Sequence, residues 1–93
     1  MSKKETTTGK TLAEIVEGKN YPFIEFRCRY QLKDGTKRDD FWGSCSYMDG
    51  ILKPFDQDTY SLDFVYQDWA EWQDDDGETC LTVWEDVGMW EEL

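Results

Sequence analysis

Nine residues from Ile24 to Leu32 constrain this chain more than any other stretch. Ile24, Phe26, Cys28, Tyr30 and Leu32 alternate without interruption against Glu25, Arg27, Arg29 and Gln31. A period of two puts the first set on one face of a strand and the second on the other, so the segment belongs to a sheet with one covered face and one wetter face. Asp34-Gly35 supplies a turn, and 39–48 alternates again, with Phe41, Gly43, Cys45 and Tyr47 set against Trp42, Ser44, Ser46 and Met48. The two runs predict a hairpin.

The flanking segments extend this reading. Thr11 and Glu14 form the Ser/Thr-x-x-Glu pattern of a capping box, Leu12, Ile15 and Val16 share one helical face, and Gly18 offers a left-handed stop, so a short helix is expected over about 11–17. Asp49-Gly50 is a second turn, and Pro54 confines Ile51-Leu52 to an edge or an end. Residues 56–72 fit both periods; a turn through 56–61 followed by a strand ending near Gln73 is the expectation. Asp75-Asp76-Gly77 then predicts a hairpin into a last strand over 79–85, with Leu81 and Val83 opposed to Cys80, Thr82 and Trp84. The predicted fold class is α+β, a short N-terminal helix packed on an antiparallel β-meander of three to five strands. Residues 1–10, polar and without periodicity, are expected to be a disordered tail, and 11–93 a single domain.

Charge is distributed unevenly along this framework. Residues 1–38 hold nine Lys/Arg and five Asp/Glu, whereas residues 39–93 hold Lys53 as their one base and sixteen acids, for a net charge of −11 over the chain. Such a field repels nucleic acid and anionic membranes and attracts basic surfaces. No apolar run approaches a membrane span or a signal peptide, so a soluble, cytoplasmic protein is expected, and Cys28, Cys45 and Cys80 are expected to be buried free thiols.

The chain contains no His, which removes the commonest general base and metal ligand together. Phosphate-binding and nucleophile-elbow glycine motifs are also absent. The run from Asp56 to Gln67 opens like a calcium loop, but Tyr60, Ser61 and Gln67 fail at its fifth, sixth and twelfth positions, and 74–77 is too compressed to wrap an ion. The expectation is therefore no enzyme, no cofactor and no metal. Arg27, Arg29, Lys33, Lys37 and Arg38 could face a phosphate backbone, but cross-strand pairing with acids is the plainer reading.

The remaining signal is a mixture of rings and acids in the second half. Tyr60, Phe64, Tyr66, Trp69, Trp72, Trp84 and Trp90 are interleaved with carboxylates. Large rings mostly build cores, yet one sheet under one short helix cannot hide both faces, and rings left beside acids are the ingredients of an interface. The expected partner-binding residues are Asp56, Asp58, Asp63, Asp68, Trp69, Glu71, Trp72, Asp74, Asp75, Asp76, Glu85 and Asp86. In size, charge, aromatic content and lack of catalytic motifs the chain resembles the small acidic inhibitors of phages and mobile elements, the anti-CRISPR and anti-restriction nucleic-acid mimics. That resemblance implies a partner with a basic protein surface, the nucleic-acid-binding groove of a defence nuclease, with a Cas effector foremost, and no direct contact with nucleic acid or membrane. An antitoxin or immunity protein capping a basic toxin, or a structural assembly module, would use similar features.

Overall fold

The computed structural model describes residues 9–56 and 60–90, with side chains described as far as Val87. Expectations for residues 1–8, for Asp58 and the rest of 57–59, for the Trp90 side chain and for 91–93 lie outside the described residues. The elements in order are β1 (Lys10–Thr11), α1 (Leu12–Val16), β2 (Tyr21–Leu32), β3 (Lys37–Met48), β4 (Ile51–Pro54), β5 (Val65–Tyr66), β6 (Asp68–Gln73) and β7 (Thr79–Trp90). Strands β4-β3-β2-β7-β6 form one five-stranded sheet, and β1 pairs with β5 as a separate two-stranded ribbon. Among the described residues no helix is long and apolar enough to cross a membrane.

Local chemistry sets the element ends. Thr11 Oγ1 accepts from the Glu14 N–H while the Glu14 carboxylate accepts from the Thr11 N–H, which completes the capping box. The next two amides, of Leu12 and Ala13, donate to the carbonyls of Phe64 and Leu62, so the helix start is tied to the loop before β5. Asp49 (φ 53°) and Gly50 (φ 82°) give the β3–β4 hairpin two consecutive left-handed residues, the backbone of a type I′ turn.

The helix, β1, β5 and Tyr60 cover one face of the sheet. Beneath them Tyr21, Ile24, Phe26, Cys45, Leu81 and Val83 are buried together with Leu12, Ile15, Val16 and Tyr66. All three cysteines are free thiols, Cys45 and Cys80 buried and Cys28 half-buried. Burial pushes the Cys45 thiol up to about 12.

Four expectations need correction. The sheet is mixed: β2 pairs parallel with β7 along Ile24↔Leu81 to Leu32↔Trp90, flanked by antiparallel pairs. A continued meander would have required β6 to pair with β4, but β4 has four residues and ends on Pro54, which has no N–H to donate. The chain instead crosses the covered face and fills the vacant side of β2. Secondly, order begins before Thr11, because Lys10 pairs with Tyr66 and Gly9 packs against Val65, so the helix is not the first element. Thirdly, β7 continues to Trp90 rather than ending near Glu85, since β2 offers it a full-length partner. Lastly, Phe41 does not share a face with Cys45. A bulge sets Phe26 opposite Gly43 but Arg27 opposite Phe41, which turns Trp42 onto the Phe26 ring, 5.2 Å between centroids, and leaves Phe41 exposed.

Gly43 is the position at which the covering loop meets the sheet. Tyr60 stacks on Phe26 at 4.7 Å and its hydroxyl accepts from the Ser44 N–H and donates to Asp56. A methyl on Gly43 would collide with that hydroxyl. Gly43→Ala should therefore lower stability by about 1–3 kcal/mol in urea melts, through displacement of Tyr60 rather than loss of the sheet. An unchanged midpoint would show that Tyr60 moves aside without penalty.

Candidate functional site: the open sheet face and the acidic hairpin

The opposite face of the sheet has no helix over it. Alternation along β2, β3 and β7 places Glu25, Arg27, Arg29, Ser44, Asp39, Thr82, Trp84 and Asp86 there, and the structure links most of them in one ladder. Trp72 Nε1 donates to Thr82 Oγ1 and Thr82 donates to Glu25 Oε1, both at 2.9 Å. Arg27 holds the other Glu25 oxygen at 2.9 Å and Asp39 Oδ1 at 2.7 Å. Asp39 also accepts from Trp84 Nε1, and the Arg29 guanidinium lies 5.6 Å from the centre of the Trp84 ring. Arg29 pairs with Asp86 at 2.7 Å and with Asp68 at 3.4 Å. The cross-strand pairing expected of these two arginines is thus present. Four carboxylates surround two guanidiniums, so the outward balance of the ladder is negative.

At one end of this face a strip of rings runs across the sheet. Phe55, after β4, stacks on Phe23 of β2 at 6.1 Å, and Phe23 meets Trp72 of β6 edge-on at 6.1 Å. Phe55 is 57% and Trp72 39% exposed. The β6–β7 tip, 74–78, lies at the same end, because β7 starts alongside the start of β2. There the Asp74 carboxylate accepts from the Asp76 and Glu78 amides and Gly77 takes a left-handed φ of 81°. This leaves Asp75, Asp76 and Glu78 exposed at the tip. Lys37 and Arg38 lie at the far end of the sheet, where a surface depression of about 410 Å³ is lined by three cations, Arg29, Lys37 and Arg38, and two carboxylates, Asp39 and Asp86.

The residues expected to bind a partner do not form one patch. Asp75 and Asp76 lie at the tip, with Asp74 half-buried as its brace, and Trp72 borders the tip on the open face. Asp68 and Asp86 belong to the arginine ladder. Trp69 faces the other way: it pairs with Val83, packs against the core and carries Lys10 over its ring at 5.6 Å. The odd spacing of Trp69 and Trp72 on one strand puts them on opposite faces. Glu71 is on the core-side rim, where the Tyr21 hydroxyl and then Lys19 hold its carboxyl below its ordinary value. Asp56 serves Tyr60, Asp63 is exposed on the loop before β5, and Glu85 is half-buried beside the core. Phe23 and Phe55 belong to the ring strip and were missed; Phe23 follows Pro22 just outside the clear alternation, and Phe55 follows Pro54 in a loop, so neither sits in a periodic pattern.

Among the described residues no group of three or more His, Cys, Asp or Glu side chains converges as a metal site would require. Comparison with known proteins returns no match to a family model, a curated protein or a solved structure.

Two measurements follow from this geometry. Thr82 is 4% exposed and its hydroxyl joins Trp72 to Glu25. Thr82→Val keeps the shape but strands both partners, and should cost about 1–3 kcal/mol of stability. The Glu85 carboxyl makes no hydrogen bond among the described residues, and burial raises it above the ordinary value. A raised acid favours the fold while protonated and opposes it once ionised, so its contribution is lost as pH climbs past about 4.5. Glu85→Gln should match wild type at pH 4 and exceed it at pH 7 in denaturant titrations; a difference that shrinks with rising pH contradicts this.

Proposed function

We propose that this chain is a non-enzymatic inhibitor whose acidic, ring-bearing surface occupies the basic nucleic-acid groove of a defence nuclease, a Cas effector foremost. The observation that carries the reading is the ladder. Arg27 and Arg29, the basic half of the central strand, are held by Glu25, Asp39, Asp68 and Asp86, so the broad open face presents a surplus of carboxylate instead of a cationic stripe. A cationic stripe would suit a nucleic-acid binder; a carboxylate surface suits a protein that competes with one. Next to it, the strip Phe55–Phe23–Trp72 supplies partly exposed rings able to anchor a complex, and Asp75, Asp76 and Glu78 supply the field that steers association.

The test uses purified guide-loaded Cas effectors and other defence nucleases, with binding rates measured at low and high salt. Asp75→Lys with Asp76→Lys should slow association roughly tenfold and flatten its salt dependence while melting stays near wild type, since exposed acids crowded at a tip repel one another in the fold. Phe55→Ala should act on dissociation, at about 2 kcal/mol of binding. Binding that is indifferent to salt and to charge reversal would falsify the mimic reading. So would tight binding of the chain itself to duplex or single-stranded DNA at about 50 mM salt in a gel shift.

A further inference from the structure

We infer that the outer edge of β6 is a docking edge, and that an extended, Lys- or Arg-bearing segment of the basic partner adds there as a sixth strand. The inference rests on the reading above that the partner is basic, and it specifies how that partner is held.

The ladder of β6 determines which backbone groups face outward. The Asp74 N–H donates to the Glu78 carbonyl at 3.1 Å, next to the pair Trp72↔Cys80. Antiparallel hydrogen-bonded pairs recur at every second residue, so Asp68, Ala70 and Trp72 direct their backbone groups to β7. Trp69, Glu71 and Gln73 direct theirs away from it. The Trp69 N–H is taken by the Asp68 carboxylate at 2.9 Å. No described strand pairs with the N–H groups of Glu71 and Gln73 or with the three outward carbonyls.

The two edges of the sheet are protected differently. On the far side β4 is four residues long and carries Lys53 and Pro54, two common means of blunting an edge. Strand β6 has six residues in unbroken register with β7, with no Pro, Lys or Gly. Its charges are Asp68 and Glu71, each facing one cation of the chain at 3.4 Å, Arg29 and Lys19, and beside them stand the exposed acids of the tip, Asp75, Asp76 and Glu78. The tip acids beside this edge and a net charge of −11 on each chain disfavour a second copy, because pairing two such edges would bring like charges together. They admit a cationic strand. The side chains provide for it: Ala70 is small and exposed between Asp68 and Trp72 on the open face, so a Lys stem can lie over Ala70 with its ammonium at Asp68 and the Trp72 ring alongside. Main-chain bonds would then give affinity and this row of side chains selectivity, the division of labour of strand addition.

The experiment compares two probes on the full chain: a short peptide alternating Lys with Thr, and the same peptide N-methylated at the alternate nitrogens that would face β6. Charge is identical and only the strand pairing is lost. The unmodified peptide should bind about tenfold tighter and slow hydrogen exchange at the Glu71 and Gln73 amides. Gln73→Pro, which removes an outward N–H and no ladder bond, should weaken the peptide about tenfold with melting unchanged. If that variant fails to fold, the probe comparison on wild type decides. Equal affinity for both peptides with no amide protection overturns the docking edge while the basic-partner reading stands. If the chain instead dimerises with those amides protected, the assigned occupant is wrong. Binding of neither the peptides nor any basic nuclease removes both proposals.

Discussion

The parallel pairing of β2 with β7 is the contact on which the rest of the structure depends. It joins segments nearly sixty positions apart, Ile24 with Leu81 and Arg29 with Asp86, and sets β7 beside β2, the central strand of the five. On one side of that pair Ile24, Phe26, Leu81 and Val83 form the floor of the core. On the other, the basic strand of the first half of the chain is laid against acids of the second half. One register therefore settles both the apolar packing and the electrostatics, and slipping it by a single residue would exchange the two faces.

The two faces solve different problems. The covered side is closed with little material: a five-residue helix, a two-residue ribbon and Tyr60 seated over Gly43. So short a helix has little stability of its own, and it persists because its first amides are bonded to the 62–64 loop and its apolar residues are buried. The other side is left open and made compatible with water by charge pairing. Partly exposed ion pairs contribute about 1 kcal/mol or less each. Their larger effect here is on surface character, because a ladder of Glu25, Arg27, Asp39 and Arg29 prevents the second sheet face from being an apolar patch.

Charge follows the long axis of the sheet rather than the order of the chain. The β2–β3 hairpin takes Lys37 and Arg38 to one end, and the β6–β7 hairpin takes Asp75, Asp76 and Glu78 to the other, with the ring strip on the acidic side. A protein charged in this way is oriented as it approaches a basic surface, tip first. The proposed function uses that orientation, and the open edge of β6 lies where an oriented partner would first make contact.

The sequence by itself determined the local elements. The Thr11–Glu14 box, the alternation of 24–32, the Asp49-Gly50 and Asp75-Asp76-Gly77 turns and the inward set Leu81 and Val83 are short-range consequences of side-chain type and spacing, and each was legible for that reason. Beyond the hairpins, which their turns announce, only the tertiary structure decided which strands are neighbours. Alternation says that a strand has two faces but not whose edge it meets, so the parallel β2–β7 pair and the extension of β7 to Trp90 were invisible in the sequence. The same holds for the candidate site. That acids and rings mingle after Asp56 is plain in the sequence, and the odd spacing of Trp69 and Trp72 parts them to opposite faces of any strand that holds both. The sequence does not show that Glu71 is drawn to Tyr21 or that Phe23 and Phe55 enter the exposed strip from two distant prolines. Those outcomes depend on distances through space between residues far apart in the chain, and a linear pattern carries no information about such distances until the strands have paired.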